Sequence, residues 1–255
     1  MKLMNQILIA GVMAACFAFA PAPLKAQADW PDGEQLLRKM DENMVSENQI
    51  VEATMIVHGR RGSRTMTTRR YIKGEEASFS EYLSPAREKG TKMLKLEDAL
   101  WIYSPGTDRV IQIAGHMLRQ SVMGSDLSYE DMTENQDFYS VYDAKVVAEE
   151  IYNERDCWVV QMDAVVEDVA YHKRKVWVDK ERYIPLREER FAKSGKLLKT
   201  TDMSEVFRVD GRWYPKRMVF KDVLKEGKGT EYIIDSIQFN EQIPEMLFTK
   251  ASLKK

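Results

Sequence analysis

The chain has 255 residues, 38 of them Lys or Arg and 40 Asp or Glu, for a formal net charge of −2. A surface so balanced and slightly acidic, with no aromatic side chains spaced as stacking platforms, excludes nucleic acid as the partner. Charged residues make up 31%, and no apolar run of spanning length follows residue 28, which excludes a helical membrane protein.

Residues 1–28 read as an export signal. Lys2 supplies the positive charge, an apolar run covers residues 7–19, and Ala26-Gln27-Ala28 offers small residues for cleavage after Ala28. The rival reading is a lipoprotein signal, with Met13-Ala14-Ala15 ahead of a lipidated Cys16. Pro21 and Pro23 end the apolar run too early for a retained anchor. Cleavage would leave Cys157 without a disulfide partner, and its setting, Cys157-Trp158-Val159-Val160, reads as strand packing. Residues 29–255 are expected to form a single domain.

One helix opens it. Asp32 is placed to cap, and Leu36, Leu37, Met40 and Met44 recur at helical spacing opposite a charged face of Glu34, Arg38, Lys39, Asp41 and Glu42. Short β-rich runs follow, divided by turn signals at residues 59–62, Lys73-Gly74, Ser104-Pro105-Gly106, Asn153-Glu154, Asp179-Lys180, Ser194-Gly195, Asp210-Gly211 and Gly227-Lys228-Gly229. This spacing predicts an antiparallel meander, and the lack of helical pattern after Val141 excludes parallel βαβ units. Val51, Ala53, Met55 and Val57 alternate with Glu52 and Thr54; Trp158, Val160, Met162 and Ala164 alternate with Gln161 and Asp163; Met218 and Phe220 alternate with Arg217 and Lys221. A sheet with one dry and one wet face is expected. The strand around Arg64, Arg69 and Arg70 is polar on both faces and is expected at an edge or rim.

Residues 115–131 break the strand rhythm. Met117, Leu118, Val122 and Met123 are spaced like one helical face, and Gly124-Ser125-Asp126 interrupts it. This predicts a short helix or ordered loop over the sheet, where thioethers suit either core gaps or a variable apolar partner.

Catalytic signatures are missing. His58, His116 and His172 lack zinc spacing, and there is no Gly-x-Ser-x-Gly elbow or phosphate loop. Asp126, Glu130 and Asp131 offer a carboxylate cluster, and Ser125 with His116 part of a triad, but solvated acidic strand faces give the same pattern. Arg60-Arg61 and Arg69-Arg70 could grip phosphate headgroups or form a solvated rim. No catalytic residue, metal or cofactor is expected.

Two stretches carry a specific resemblance. The first spans residues 69–131 and contains RRYIKGEEASFSEYLSPAREKGTKMLKL, LWIYSPGTDRVIQI and MGSDLSYEDM; the second is VWVDKERYIPLREERFAKSGKLL, residues 176–198. Together they resemble the bacterial outer-membrane lipoprotein-sorting proteins, the LolA-like family, in a longer branch with a Gly-Ser-Asp-x-Ser-Tyr-Glu-Asp block. The resemblance implies a mainly β fold with helices (α+β): a half-open antiparallel β-barrel with a helical lid over an apolar cavity. It also implies a periplasmic carrier of lipid or lipoprotein acyl chains, with an inner-membrane permease or transporter and an outer-membrane acceptor as partners. A lipid sensor or scaffold on the same fold, and a lipid-acting hydrolase, are the alternatives.

Candidate cavity residues are Met55, Val57, Phe79, Leu83, Met93, Trp101, Tyr103, Leu118, Met123, Trp158, Val160 and Trp177, with Trp101-Ile102-Tyr103 the leading strand. Family analogy makes Arg69 or Arg70 the arginine that meets the lid. Met117, Gly124, Ser125, Asp126 and Asp131 complete the candidate lid and rim.

Overall fold

The computed structural model describes residues 30–255 apart from residues 61, 75 and 134–137. The expected leader with Cys16, and Arg61, lie outside the described residues.

Helix α1 (Gly33–Met44) begins as its sequence dictates. Asp32, in extended conformation, accepts a hydrogen bond from the Gln35 N–H at 3.0 Å, satisfying one of the donors a helix start leaves open. Leu36, Leu37 and Met40 form its buried stripe. Gly33 lets the helix approach a strand closely, since a Cβ there would sit 2.5 Å from the Ala144 carbonyl oxygen.

Six strands follow: β1 (Asn48–Gly59), β2 (Gly62–Lys73), β3 (Ala77–Ser84), β4 (Lys92–Leu96), β5 (Ala99–Ser104) and β6 (Arg109–Ile113). Seven more complete the chain: β7 (Tyr142–Tyr152), β8 (Arg155–Ala164), β9 (Lys173–Asp179), β10 (Pro185–Phe191), β11 (Leu197–Val209), β12 (Arg212–Asp222) and β13 (Thr230–Phe239). They form one 13-stranded sheet in the order β6-β5-β4-β3-β2-β1-β13-β12-β11-β10-β9-β8-β7. The pairings are antiparallel, and the first strand pairs with the last. The sheet does not close, so the fold is a half-open barrel whose edges are β6 and β7.

This topology explains the covering segment. The chain works outward from β1 to β6 and must then reach the opposite edge at β7, so the link between them has to cross the opening. That link carries 3-10 turns Gly115–Arg119 and Val122–Gly124, then α2 (Tyr129–Thr133) and α3 (Phe138–Val141).

The expected wet face is in large part dry. Phe79, Leu94, Trp101 and Tyr103 pack beneath the C-terminal turns around Phe248 and Leu253. Strand β8 is likewise buried on both sides: Cys157 and Val159 share a core with Trp177, Ile184 and Leu186, while Val160 and Met162 point the other way. Three reversals carried no recognised signal: the loop at residues 85–91, the tight turn at Glu97-Asp98, where Glu97 holds φ 51°, and the loop at residues 165–172.

Candidate functional site: a cavity on the inner face

A cavity of about 360 Å³ lies between the inner face of the sheet and the covering segment. Its lining is polarised. At one end stand Met55, Tyr82, Val122 and Met132; at the other stand Gln49, Arg70, Ser78, Ser80 and Lys95, with Ile72 between Gln49 and Ser78. Strand register produces the polar end, because Arg70 lies opposite Ser80, and Lys95 opposite Ser78, on one face of adjacent strands. Two residues before Lys95 on β4, Met93 lies opposite Ser80 and marks where the lining turns apolar. Tyr214 and Tyr232 close the far wall. Burial raises the pKa of Tyr82 and Tyr232 and pushes that of Tyr214 up to about 12, so all three are neutral phenols.

The covering segment is fastened by polar bonds, from the buried one at Thr230 to an exposed one at Arg64. Asp126 accepts from the Thr230 hydroxyl at 2.8 Å and from the Asp222 N–H at 3.0 Å. Lys225 donates to the Ser125 carbonyl at 2.8 Å, and Arg64 to the Met123 carbonyl at 2.5 Å. Ser128-Tyr129-Glu130-Asp131 closes on itself: the Ser128 N–H donates to the Asp131 carboxylate at 2.7 Å, and the Asp131 N–H to the Ser128 hydroxyl at 3.3 Å. This is the reciprocal pattern of a capping box at the start of α2.

Asp131 also ties α2 to the other half of the sheet. Its side chain is 2% exposed and accepts from Tyr171 at 2.6 Å, Arg190 at 3.1 Å and Lys199. Burial opposes its ionisation, but Arg190, Lys199 and the Ser128 N–H outweigh that and hold its pKa at about 2. Arg190 continues to Glu188 at 2.8 Å, and Glu188 to Arg174, which is 1% exposed, at 2.8 Å. A buried chain of alternating charge therefore runs from the cover into β9–β11.

Of the residues singled out from sequence, Met55, Met93, Arg70 and Asp131 line the cavity. Val57, Met117, Leu118 and Met123 belong to the apolar cluster beneath the cover. Phe79, Trp101 and Tyr103 face the opposite way, because β4 and β5 pair so that Trp101 sits beside Leu94 and not Met93. Leu83, Trp158, Val160 and Trp177 do not contribute to the lining; Trp158 lies under the Lys180 ammonium, 3.8 Å from its ring centre. Arg69 points outward to Glu52 at 2.5 Å. Ser125 is buried and donates to the Leu127 carbonyl at 3.3 Å, and with Asp126 bound to Thr230 and His116 exposed, the three are engaged separately. Gly124 holds φ +71° at the end of its turn. Lys95, Glu188, Arg190 and Lys199 went unrecognised; the signal was present in Glu188 and Arg190, opposite charges two residues apart on one strand face. Among the described residues no cluster of His, Cys, Asp and Glu is placed to hold a metal, and no helix is long and apolar enough to cross a membrane.

A family model whose description reads only "Uncharacterized protein" matches residues 74–255. The chain belongs to that family. No curated protein matches it. Among solved structures, an outer membrane lipoprotein-sorting protein domain from Vibrio parahaemolyticus has a TM-score of 0.76 at 24% identity, covering 88% of this chain and 98% of its own. A DUF1329 family protein from Desulfovibrio piger has a TM-score of 0.76 at 26% identity, covering 86% and 96%. A LolA superfamily protein from Nitrosomonas europaea has a TM-score of 0.72 at 22% identity, covering 88% and 100%. The family's fold is thus that of the LolA-like lipoprotein-sorting proteins, from end to end of the neighbours' chains.

Proposed function

We propose that this protein is an exported periplasmic carrier that takes acyl chains of a lipid or lipoprotein into the cavity and moves them between membranes. The observation that carries the reading is a cavity walled by Met55, Met93, Val122 and Met132 under a segment that spans the open side of the sheet. Hydrocarbon does not cross water unaided, since each buried methylene is worth about 0.8 kcal/mol. A half-open barrel can replace the bilayer because its backbone groups are bonded between strands and only side chains meet the cargo. Methionines conform to flexible chains at low cost. The lipoprotein-sorting description of a structural neighbour supports the same job.

A second reading, a lipid sensor or scaffold, is favoured by one feature. The cover is fixed by Asp126 and Asp131 through buried bonds, which slows any opening. Vesicle assays separate the two. The protein is purified from its own cell envelope, extracted with organic solvent and analysed by mass spectrometry, then tested for movement of labelled lipid between donor and acceptor vesicles. A carrier yields co-purified acyl lipid and faster transfer, reduced at least tenfold by Met93→Glu. Binding without transfer selects the sensor, and neither binding nor transfer ends both readings.

A further inference from the structure

Arg70 is a cation without a counter-charge. Its Nε is buried and has no hydrogen-bond partner, and its Nη2 reaches the Ser78 hydroxyl at 3.4 Å. Among the described residues no carboxylate forms an ion pair with it. The acid of the lining, Asp131, is committed to Arg190 and Lys199. By contrast the neighbouring Arg69, on the outer face of the same strand, has its partner in Glu52.

A guanidinium among neutral phenols and hydroxyls is costly to bury unless something anionic meets it. Lys95 lines the same end of the cavity, 6% exposed, and Ser78 and Ser80 add hydroxyl donors between the two bases. The two residues stand on one face of β2 and β4 with β3 between them, and both line the cavity. That end accepts an oxyanion. The opposite end, at Met55, Tyr82 and Val122, has the chemistry to meet hydrocarbon.

We infer that the cavity selects a single-chain anionic amphiphile, with its oxyanion between Arg70 and Lys95 and its chain running toward Val122 beneath the cover. This rests on the proposed acyl-chain site and specifies its cargo. The volume, about 360 Å³, lies at the small end of ligand sites, roughly 300–1,000 Å³, which favours one chain over a bundle of several. A carboxylate and a phosphate monoester satisfy the same two bases, and Arg meets either with paired N–H donors.

Isothermal titration or displacement of a fluorescent fatty acid decides the matter. The delipidated protein is titrated with palmitate, 1-palmitoyl lysophosphatidate and uncharged 1-monopalmitoylglycerol at fixed pH and salt. Both anions are expected to bind at least about tenfold more tightly than monopalmitoylglycerol, the range for a charge-assisted pair, and the tighter of the two identifies the head. Arg70→Gln is expected to abolish that preference while retaining monopalmitoylglycerol binding, and Arg70→Lys to restore part of it. Should Arg70→Gln fail to fold, the preference of the unaltered protein and its loss in Lys95→Gln still report. Equal affinity for all three amphiphiles overturns the anionic site and leaves the acyl-chain reading standing. Failure of all three to bind overturns both.

Discussion

Asp126 and Thr230 hold each other twice: the Asp126 N–H donates to the Thr230 hydroxyl at 3.0 Å, and that hydroxyl donates to the Asp126 carboxylate at 2.8 Å. The residues are 7% and 0% exposed and 104 positions apart, so this pair fastens the covering segment to the start of β13. Thr230→Val keeps the shape and leaves the Asp126 N–H and one carboxylate oxygen without that partner, while the Asp222 N–H still meets the other oxygen, at about 1–3 kcal/mol. Urea unfolding is expected to show that loss, and amide exchange in residues 121–132 to quicken. Thr54→Val, which removes an exposed bond to Asp235, is expected to stay within about 0.5 kcal/mol. Unchanged exchange in Thr230→Val would mean that the cover is held elsewhere.

At Gly33 helix propensity and sterics oppose each other. Alanine favours helix by up to about 1 kcal/mol over glycine, but here its Cβ would meet the Ala144 carbonyl at 2.5 Å, and backbone cannot swing aside as a side chain can. Crowding costs about 1–3 kcal/mol and should win. Gly33→Ala is expected to lower Tm by several degrees, whereas a rise would show that α1 can slide off β7.

How much of this was legible in the amino-acid order depends on the kind of information each feature needs. α1 is local: Asp32 and the Leu36, Leu37 and Met40 stripe suffice to place it. The meander is nearly so, because Gly, Asn and Asp mark most reversals. Which face of a strand lies inward is not local. Trp101 and Tyr103 alternate as convincingly as Ile102 does, and the outcome turns on Phe248 and Leu253, about 150 positions away, which supply a second cover. The charge chain through Arg174, Glu188 and Arg190 was hidden for the same reason, since a strand rich in Glu and Arg looks solvated until its neighbours are known. The Gly124 to Asp131 block stands out in the amino-acid order, and its chemistry is fastening: Asp126 to Thr230, Asp131 to Lys199.

Two members of that charge chain, Glu188 and Arg174, differ in how replaceable they are. Glu188 is paired with both Arg174 and Arg190, so Glu188→Gln takes one anion from each of two buried guanidinium groups, of which Arg190 keeps Asp131. Breaking such a pair costs about 3–5 kcal/mol. Arg174→Met instead removes one buried cation and leaves Glu188 bonded to Arg190, and is expected to cost about 1 kcal/mol. Urea midpoints of the two variants give the comparison, and an equal loss would mean that Glu188 draws its stability from Arg174 alone.

Acid should loosen the cover through Asp131 before it unfolds the sheet. The native pKa, about 2, lies below the roughly 3.9 of an aspartate in an unfolded chain. The native state therefore binds this proton less readily than the unfolded state does, and the stabilisation is complete above about pH 4. It is lost as pH falls from there through about 2, and amounts to on the order of 2 kcal/mol, undiminished by solvent because the side chain is 2% exposed. Asp131→Asn removes the titrating group and leaves Lys199 and Arg190 facing a neutral amide. Its urea midpoint is expected to be lower than that of the unaltered protein at pH 7, with the difference between the two narrowing between pH 4 and pH 2. Amide exchange of α2 followed across the same range locates the effect: protection should fall with pH in the unaltered protein and start low in the variant. A difference between the two proteins that stays constant from pH 5 to pH 2 would show that the carboxylate is not held ionised by Arg190 and Lys199.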